Sequence, residues 1–403
     1  MTVYLIGTLD TKGREIGFVR DELRSLGVEV KVVDGSCLSE PTITADIPRE
    51  AVFQAAGTTL AEVRTQQDRG HAVTTAAHGV AALIKELHDK GQVTGVIGLG
   101  GSAGTTIATA AMRALPIGVP KVMASTLASG QVRPYVGDKD ILMLNTIVDI
   151  SGINRISRLV LGEAARAMAG MVTLKQSRPA DSDKPVVAAT MFGVTTPCVE
   201  HARRILEEAG YEVLVFHATG TGGQAMESLI EDGLVVGVLD ITTTELADEL
   251  VGGTLTAGPQ RLTAAGRKGI PQVISVGALD MVNFGPPETI PAKFADRTFY
   301  RHNPSVTLMR TTVAENAALG EEIGRKAAAA TGPTAIVLPL KGVSAIDCAG
   351  KPFDDPEARS ALFGVLRRTH GNTKLIELDY HINDPEFAEA AARQLIAMLG
   401  NRR

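Results

Sequence analysis

Several stretches of the chain bring glycines, hydroxyls, acids and lysines together in patterns that can do chemistry. Residues 93–111 read VTGVIGLGGSAGTTIATAA: an apolar run, a glycine-rich turn, then small residues suited to a helix. Glycines let a ligand approach the backbone closely, and free N–H groups at a helix N-terminus supply positive potential, so this arrangement can hold phosphate. The nominated contacts are Gly98, Gly100, Gly101, Ser102, Gly104 and Thr105. Gly98, Gly100 and Ala103 fit G-x-G-x-x-G/A, but no acid follows about 20 positions later, as the dinucleotide fingerprint requires. The lysine of G-x-x-x-x-G-K-[ST] is absent too, because Thr105 and Thr106 follow Gly104 directly. Close packing of strand on helix would also explain the small residues.

Gly7-Thr8-Leu9-Asp10-Thr11-Lys12-Gly13 closes the first apolar run and is expected as a loop at a strand end. There Lys12 can neutralise phosphate, Asp10 can hold Mg²⁺ or an acceptor hydroxyl, and Gly7, Thr8, Thr11 and Gly13 can line the nucleotide. A helix cap at Asp10 or Thr11 beside a solvated lysine accounts for the same residues. Asp34 ends the second run, where an acid can accept ribose hydroxyls, and Ser125 puts a hydroxyl at another strand end. The segment with Asp138 and Asp140 is acidic enough for a cation, but an ordinary loop with capping Asp residues is the favoured reading.

The second half carries its own set. Thr219, Gly220, Thr221, Gly222 and Gly223 form a second candidate anion cradle, and Thr243 belongs to a hydroxyl run that can also be an N-cap with Glu245 behind it. Lys341 and Ser344, in KGVSAID, offer a cation and a hydroxyl near an acid and are the favoured substrate-side chemistry. The segment 279–291, LDMVNFGPPETIP, reads as too proline-rich for regular structure. His302 stands alone as a base, and His71 and His78 lack a third ligand for zinc.

These residues need strand ends to hold them. Short apolar runs alternate with amphipathic stretches throughout, the pattern of parallel sheets with helical crossovers. The expected fold is α/β, with two Rossmann-like doubly wound domains and mainly parallel sheets, at 1–180 and 181–403. Their boundary is the polar stretch at 176–184, QSRPADSDK, after which a strand-helix-strand pattern starts again. With 403 residues, 44% hydrophobic and a net charge of −5, the chain has ample core and no basic excess for nucleic acid. No apolar run reaches the roughly 18 residues of a membrane span, and Cys37, Cys198 and Cys348 are too scattered for a disulfide framework or a CxxC site. A cytoplasmic protein is expected.

GTLDTKG at 7–13, GLGGSAGT at 98–105, HATGTGGQAME at 217–227, DITTTELADELVGG at 240–253 and LPLKGVSAID at 338–347 resemble a bacterial family. That family is homologous to the N-terminal ATP-binding domain of the tomato mosaic virus resistance protein and is called the Tm-one-like ATP-binding family. The resemblance spans essentially the whole chain. It implies a two-subdomain α/β fold, ATP binding and homodimerisation, with ATP contacts carried over only to 7–13 and 98–105. The viral-inhibition role of the plant protein is not carried over.

The function expected is ATP binding by the first domain, with phosphoryl transfer or ATP-dependent activation of a small polar or anionic metabolite at an interdomain cleft. Asp10, Lys12 and Lys341 take the catalytic roles; Mg²⁺ is admitted, with no ligand set assigned. The other class left open is a non-catalytic module that senses nucleotide. An NAD-dependent oxidoreductase is weakened by the incomplete fingerprint.

Overall fold

The computed structural model describes residues 2–130, 132–174 and 184–400. The chain divides into two compact units, 1–178 and 179–403. The polar stretch expected as a boundary lies outside the described residues, save Lys184.

In the N-terminal unit, β1 (Thr2–Gly7), β2 (Glu29–Asp34), β3 (Gly95–Gly100), β4 (Lys121–Ser125) and β5 (Leu142–Asn145) form one parallel sheet ordered β2-β1-β3-β4-β5. The run TVYLIG is buried on both faces, as a central parallel strand must be. Tyr4 and Ile6 point to one side and Val3 and Leu5 to the other. Helices α1 (Leu9–Ser25) and α7 (Arg155–Thr173) cover the Val3 side, while α2 (Arg49–Ala55), α3 (Leu60–Thr65), α4 (Arg69–Asp89) and α5 (Ser102–Arg113) cover the other. The short α6 (Arg133–Val136) precedes β5.

The C-terminal unit repeats the scheme with β6 (Val186–Met191), β7 (Glu212–His217), β8 (Gly237–Thr242), β9 (Gln272–Gly277), β13 (Thr334–Pro339) and β14 (Lys374–Leu378). Its sheet is parallel, ordered β14-β13-β9-β8-β6-β7. Helices α8 (Thr196–Glu208) and α14 (Pro385–Gly400) pack on one face. Helices α9 (Thr221–Glu231), α10 (Glu245–Val251), α11 (Ala264–Lys268), α12 (Val313–Ala328) and α13 (Pro356–Thr369) take the other. These are two Rossmann-like α/β units, as the alternation of strand and helix implies.

Two local expectations are corrected. The segment 279–291 is not irregular throughout: β10 (Met281–Phe284) pairs with β12 (Val306–Arg310), itself paired with β11 (Phe299–Asn303), in an antiparallel ribbon ordered β10-β12-β11. The prolines fall after β10, in the turns that follow, so they do not interrupt it. The loop expected over 7–13 is the first turn of α1, which starts at Leu9 and kinks at Lys12 (φ −125°, ψ 19°).

In each sheet the order of connection reverses once, at β1/β3 and at β6/β8. Open parallel sheets form a ligand crevice at such a point, outside the carboxyl ends of the strands.

Candidate functional site

At the β1/β3 switch point two helices begin on adjacent strands, α1 just after β1 and α5 just after β3. Neither N-cap residue, Thr8 or Gly101, caps its helix with its own side chain; the Leu9 N–H of α1 is taken by Asp34 Oδ1, and the first-turn N–H groups of α5 add positive potential to the crevice. Thr105 N–H bonds to the Gly101 carbonyl at 2.8 Å, closing the first turn of α5.

The glycines here do different jobs. A Cβ on Gly98 would stand 2.4 Å from Ala108 Cβ, one on Gly100 2.8 Å from Gly104 Cα, and one on Gly104 3.0 Å from the Leu99 carbonyl oxygen. Gly7 would meet Ile16 Cδ1 at 2.4 Å and Gly13 would meet Thr42 Oγ1 at 2.0 Å. Backbone atoms or the Ala108 Cβ crowd Gly98, Gly100 and Gly104, so packing favours glycine there, whereas Gly7 and Gly13 meet the side-chain ends of Ile16 and Thr42. Gly101 is different: a Cβ there meets only Thr126 Oγ1, at 3.7 Å, and its φ of −81° suits any residue. The small residue at 101 is therefore not explained by the fold around it.

Ser102 is exposed at the start of α5, whereas Thr105 and Ser125 are buried and share a 2.7 Å hydrogen bond that ties the glycine turn to the loop after β4. Thr8 Oγ1 and Thr11 Oγ1 are 2.9 Å apart. Asp10 Oδ2 accepts from the Leu38 and Ser39 N–H groups at 3.3 and 3.2 Å. Lys12 Nζ donates to the Ile150 carbonyl. Asp34 is buried, and its Oδ1 accepts from Leu9 N, Ser36 N and Ser36 Oγ; burial raises its pKa, the hydrogen bonds opposing. Its bonded oxygen thus anchors the turn after β2. A cavity of about 410 Å³ opens beside it, with Thr42, Thr44 and Arg49 in its wall.

In the C-terminal unit the expected cradle is built, and the protein's own carboxylate occupies it. Gly220 N and Gly223 N donate to Glu245 Oε1 at 2.7 and 3.1 Å, and a Cβ on Gly223 would lie 2.2 Å from Glu245 Oε2. A Cβ on Gly222 would stand 1.8 Å from the His217 carbonyl oxygen, and Gly220 needs its φ of +82°. Thr219 bonds locally to the His217 carbonyl, and Thr221 is exposed as the first residue of α9. Thr243 is buried on the Ser275 carbonyl. Ser344 is buried, donating to Asp280 Oδ2 at 2.8 Å, while Lys341 is 56% exposed and pairs with Asp379.

Two buried ionic clusters were not legible as such. Arg261, 0% exposed, forks onto Asp240 at 2.6 and 2.7 Å, reaches Glu245 Oε2 at 2.6 Å and touches Glu227 at 3.3 Å. Burial works against its charge, but the carboxylates around it hold its pKa above the ordinary value; burial raises that of Glu245, with Arg261 opposing. The available signal was Asp240 within the apolar run GVLDIT of β8, since a carboxylate there needs a buried partner. The second cluster joins Asp280, Asp347, Arg310, Arg359 and Ser344. Among the described residues no three or more His, Cys, Asp or Glu side chains gather as a metal site.

Burial, then the Asp347 charge, pushes Asp280 up to about 7, and burial pushes Asp248 up to about 7. The folded chain then holds protons that unfolded carboxyls, near 3.8, have released. Unfolding therefore releases protons between pH 4 and 7, so this stability is fully present below about pH 4 and lost as pH rises through about 7. Urea denaturation should give a lower midpoint at pH 8 than at pH 5.5, with a slope on the order of 1 kcal/mol per pH unit. Asp280→Asn should flatten that slope; a midpoint that rises across the interval contradicts the assignment.

Residues 1–177 match the family described as Uncharacterised protein family (UPF0261) N-terminal domain, and 184–399 match its C-terminal domain. The chain belongs to the UPF0261 family. It is 50% identical over 399 residues to a UPF0261 protein of Clostridium tetani, covering 98% of each. A UPF0261 protein of Mesorhizobium japonicum is 47% identical, with 97% of each chain covered. This UPF0261 chain is also 45% identical to the ToMV resistance protein Tm-1 of Solanum lycopersicum, over 96% of its own length and 54% of the plant protein's. Among the described residues no helix is long and apolar enough to cross a membrane.

Proposed function

We propose that this chain binds ATP at the β1/β3 switch point and uses it for phosphoryl transfer to, or ATP-dependent activation of, a small polar or anionic metabolite. The supporting observation is that α1 and α5 begin side by side on adjacent strands, with the N-terminus of α5 uncapped and Gly101 leaving space where a phosphate would meet the backbone. In this reading the N–H groups of Ser102, Ala103 and Gly104 bind phosphate oxygens, and Thr8 and Thr11 add hydroxyls. Lys12 brings its charge from the Ile150 carbonyl, and Asp10 holds Mg²⁺ or the acceptor hydroxyl. The cavity beside Asp34 has room for the nucleoside end. Bound ATP supplies a transferable phosphoryl or adenylyl group. Of the substrate-side residues, Lys341 and Thr221 remain exposed and able to meet a metabolite.

A second reading, a nucleotide-sensing module without turnover, is favoured by one observation: Glu245 already fills the cradle at 219–223. We place the protein in the cytoplasm as a homodimer. Support for the dimer comes from β5 and the turn after it, where Leu142 and Val148 are exposed and Ile147 is 74% exposed at a φ of +63°. A β-branched residue strained in that region and turned to water suits a surface that is covered in the assembly.

Incubating the full chain with ATP, Mg²⁺ and a panel of sugar acids and keto acids, and resolving ADP and AMP by chromatography, separates the readings. Nucleotide release that depends on one acid supports the enzyme. Stoichiometric binding with no product under any acid supports the sensor, and no binding at all overturns both.

A further inference from the structure

We propose that the antiparallel ribbon of the C-terminal unit carries a binding site for a small carboxylic acid with a compact apolar body. This site is independent of the ATP reading. Between the ribbon and the turns at 285–297 lies a cavity of about 430 Å³, within the range of small-molecule sites. Its walls are apolar: Pro287, Ile290, Pro291, Ala295 and Phe299 contribute to them.

Two polar side chains enter it, Thr307 and Arg301. They are direct cross-strand partners in the β11–β12 pairing, so their side chains share one face of the ribbon. Phe299 lies two residues before Arg301 and faces the same way.

Thr307 is 3% exposed, and its Oγ1 has no hydrogen-bond partner. A buried hydroxyl is costly to leave unpaired, and most such groups in folded proteins are satisfied. The fold offers it nothing here, although it sits in the wall of a cavity that can admit an acceptor. Arg301 is exposed, and among the described residues it forms no ion pair. By contrast, the nearby Arg297 is held by Glu315 at 2.6 Å, and the Lys293 ammonium lies 4.7 Å from the centre of the Phe294 ring.

Together these features select a ligand class. A guanidinium fork recognises a planar carboxylate through two parallel hydrogen bonds. The Thr307 hydroxyl supplies one further donor, and the walls accept an apolar body while offering little to a sugar or a polyphosphate. A carboxylate with no apolar part leaves the walls unused, and a neutral apolar molecule leaves the guanidinium unmatched.

The test uses the full chain, with benzoate as probe, benzamide as its uncharged counterpart and acetate as the head group alone. Titration calorimetry and ligand-observed NMR should give benzoate a dissociation constant of about 0.1–1 mM, as expected for a ligand of this size. Benzamide and acetate should each bind at least tenfold more weakly. Arg301→Gln should weaken benzoate at least tenfold and leave benzamide unchanged. Thr307→Val, which keeps the shape and removes the unpaired hydroxyl, should weaken benzoate about fivefold while leaving the melting temperature equal or higher. That combination separates a ligand contact from a fold contact. Benzoate binding no tighter than benzamide, or unchanged in either variant, overturns the proposal.

Discussion

Replacing Arg261 with methionine should destabilise the C-terminal unit by about 3–5 kcal/mol, a large part of the stability of an ordinary domain. The guanidinium is 0% exposed and is the shared partner of Asp240, Glu245 and Glu227. Methionine restores much of the volume but leaves carboxylates buried without their cation, and that penalty exceeds the lost attraction. The loss should spread, because Glu245 holds the turn before α9 through Gly220 and Gly223, and Glu227 holds Leu262, Thr263 and Ala264 N–H groups. Urea denaturation at pH 7 measures the effect. Adding Glu245→Gln to Arg261→Met should recover part of the loss, since Gln keeps an acceptor for the two glycine N–H groups and removes one unpaired charge. A loss under about 1 kcal/mol in the single variant would show that water reaches the cluster and that its burial has little energetic weight.

The cluster also marks how far the sequence could be read. Strand and helix alternation was legible because parallel strands such as TVYLIG are apolar on both faces and amphipathic helices follow them. The ribbon was hidden by Pro286, Pro287 and Pro291, which dominate the composition of a segment whose strand ends before them. At the switch point the glycine turn was visible, but its glycines could not be sorted. Whether a glycine serves packing or leaves space depends on what its missing Cβ would meet, and that is set by α1, α5 and the 42–43 segment folding back. At 219–223 the sequence suggested an anion cradle for substrate, and in the fold two of its N–H groups hold Glu245, 22 and 25 residues downstream. Sequence pattern shows which groups can bind a charge; tertiary structure decides whether the protein supplies that charge itself.

Gly101 makes the ATP reading testable without disturbing the fold. Gly100→Val would drive a side chain into Gly104, with Cβ only 2.8 Å from its Cα, so loss of binding in that variant would report collapse. A Cβ at 101 meets nothing closer than Thr126 Oγ1 at 3.7 Å and the backbone there is extended (φ −81°, ψ −152°), so unliganded Gly101→Val protein is expected to melt as the wild type does. Its branched side chain would stand where phosphate approaches the N–H groups of α5, and the affinity for ATP should fall at least tenfold. With ATP at about 100 times its dissociation constant, the wild type should gain roughly 2.7 kcal/mol, or about 5–10 °C in the melting temperature of a unit of this size. The decisive measurement is calorimetric titration of ATP into wild-type and Gly101→Val protein, with the unliganded melting temperatures recorded alongside. The account predicts saturable binding to the wild type, at least tenfold weaker binding to the variant, and equal unliganded stability. Equal ATP affinity in the two proteins, or no ATP binding by the wild type, would contradict it.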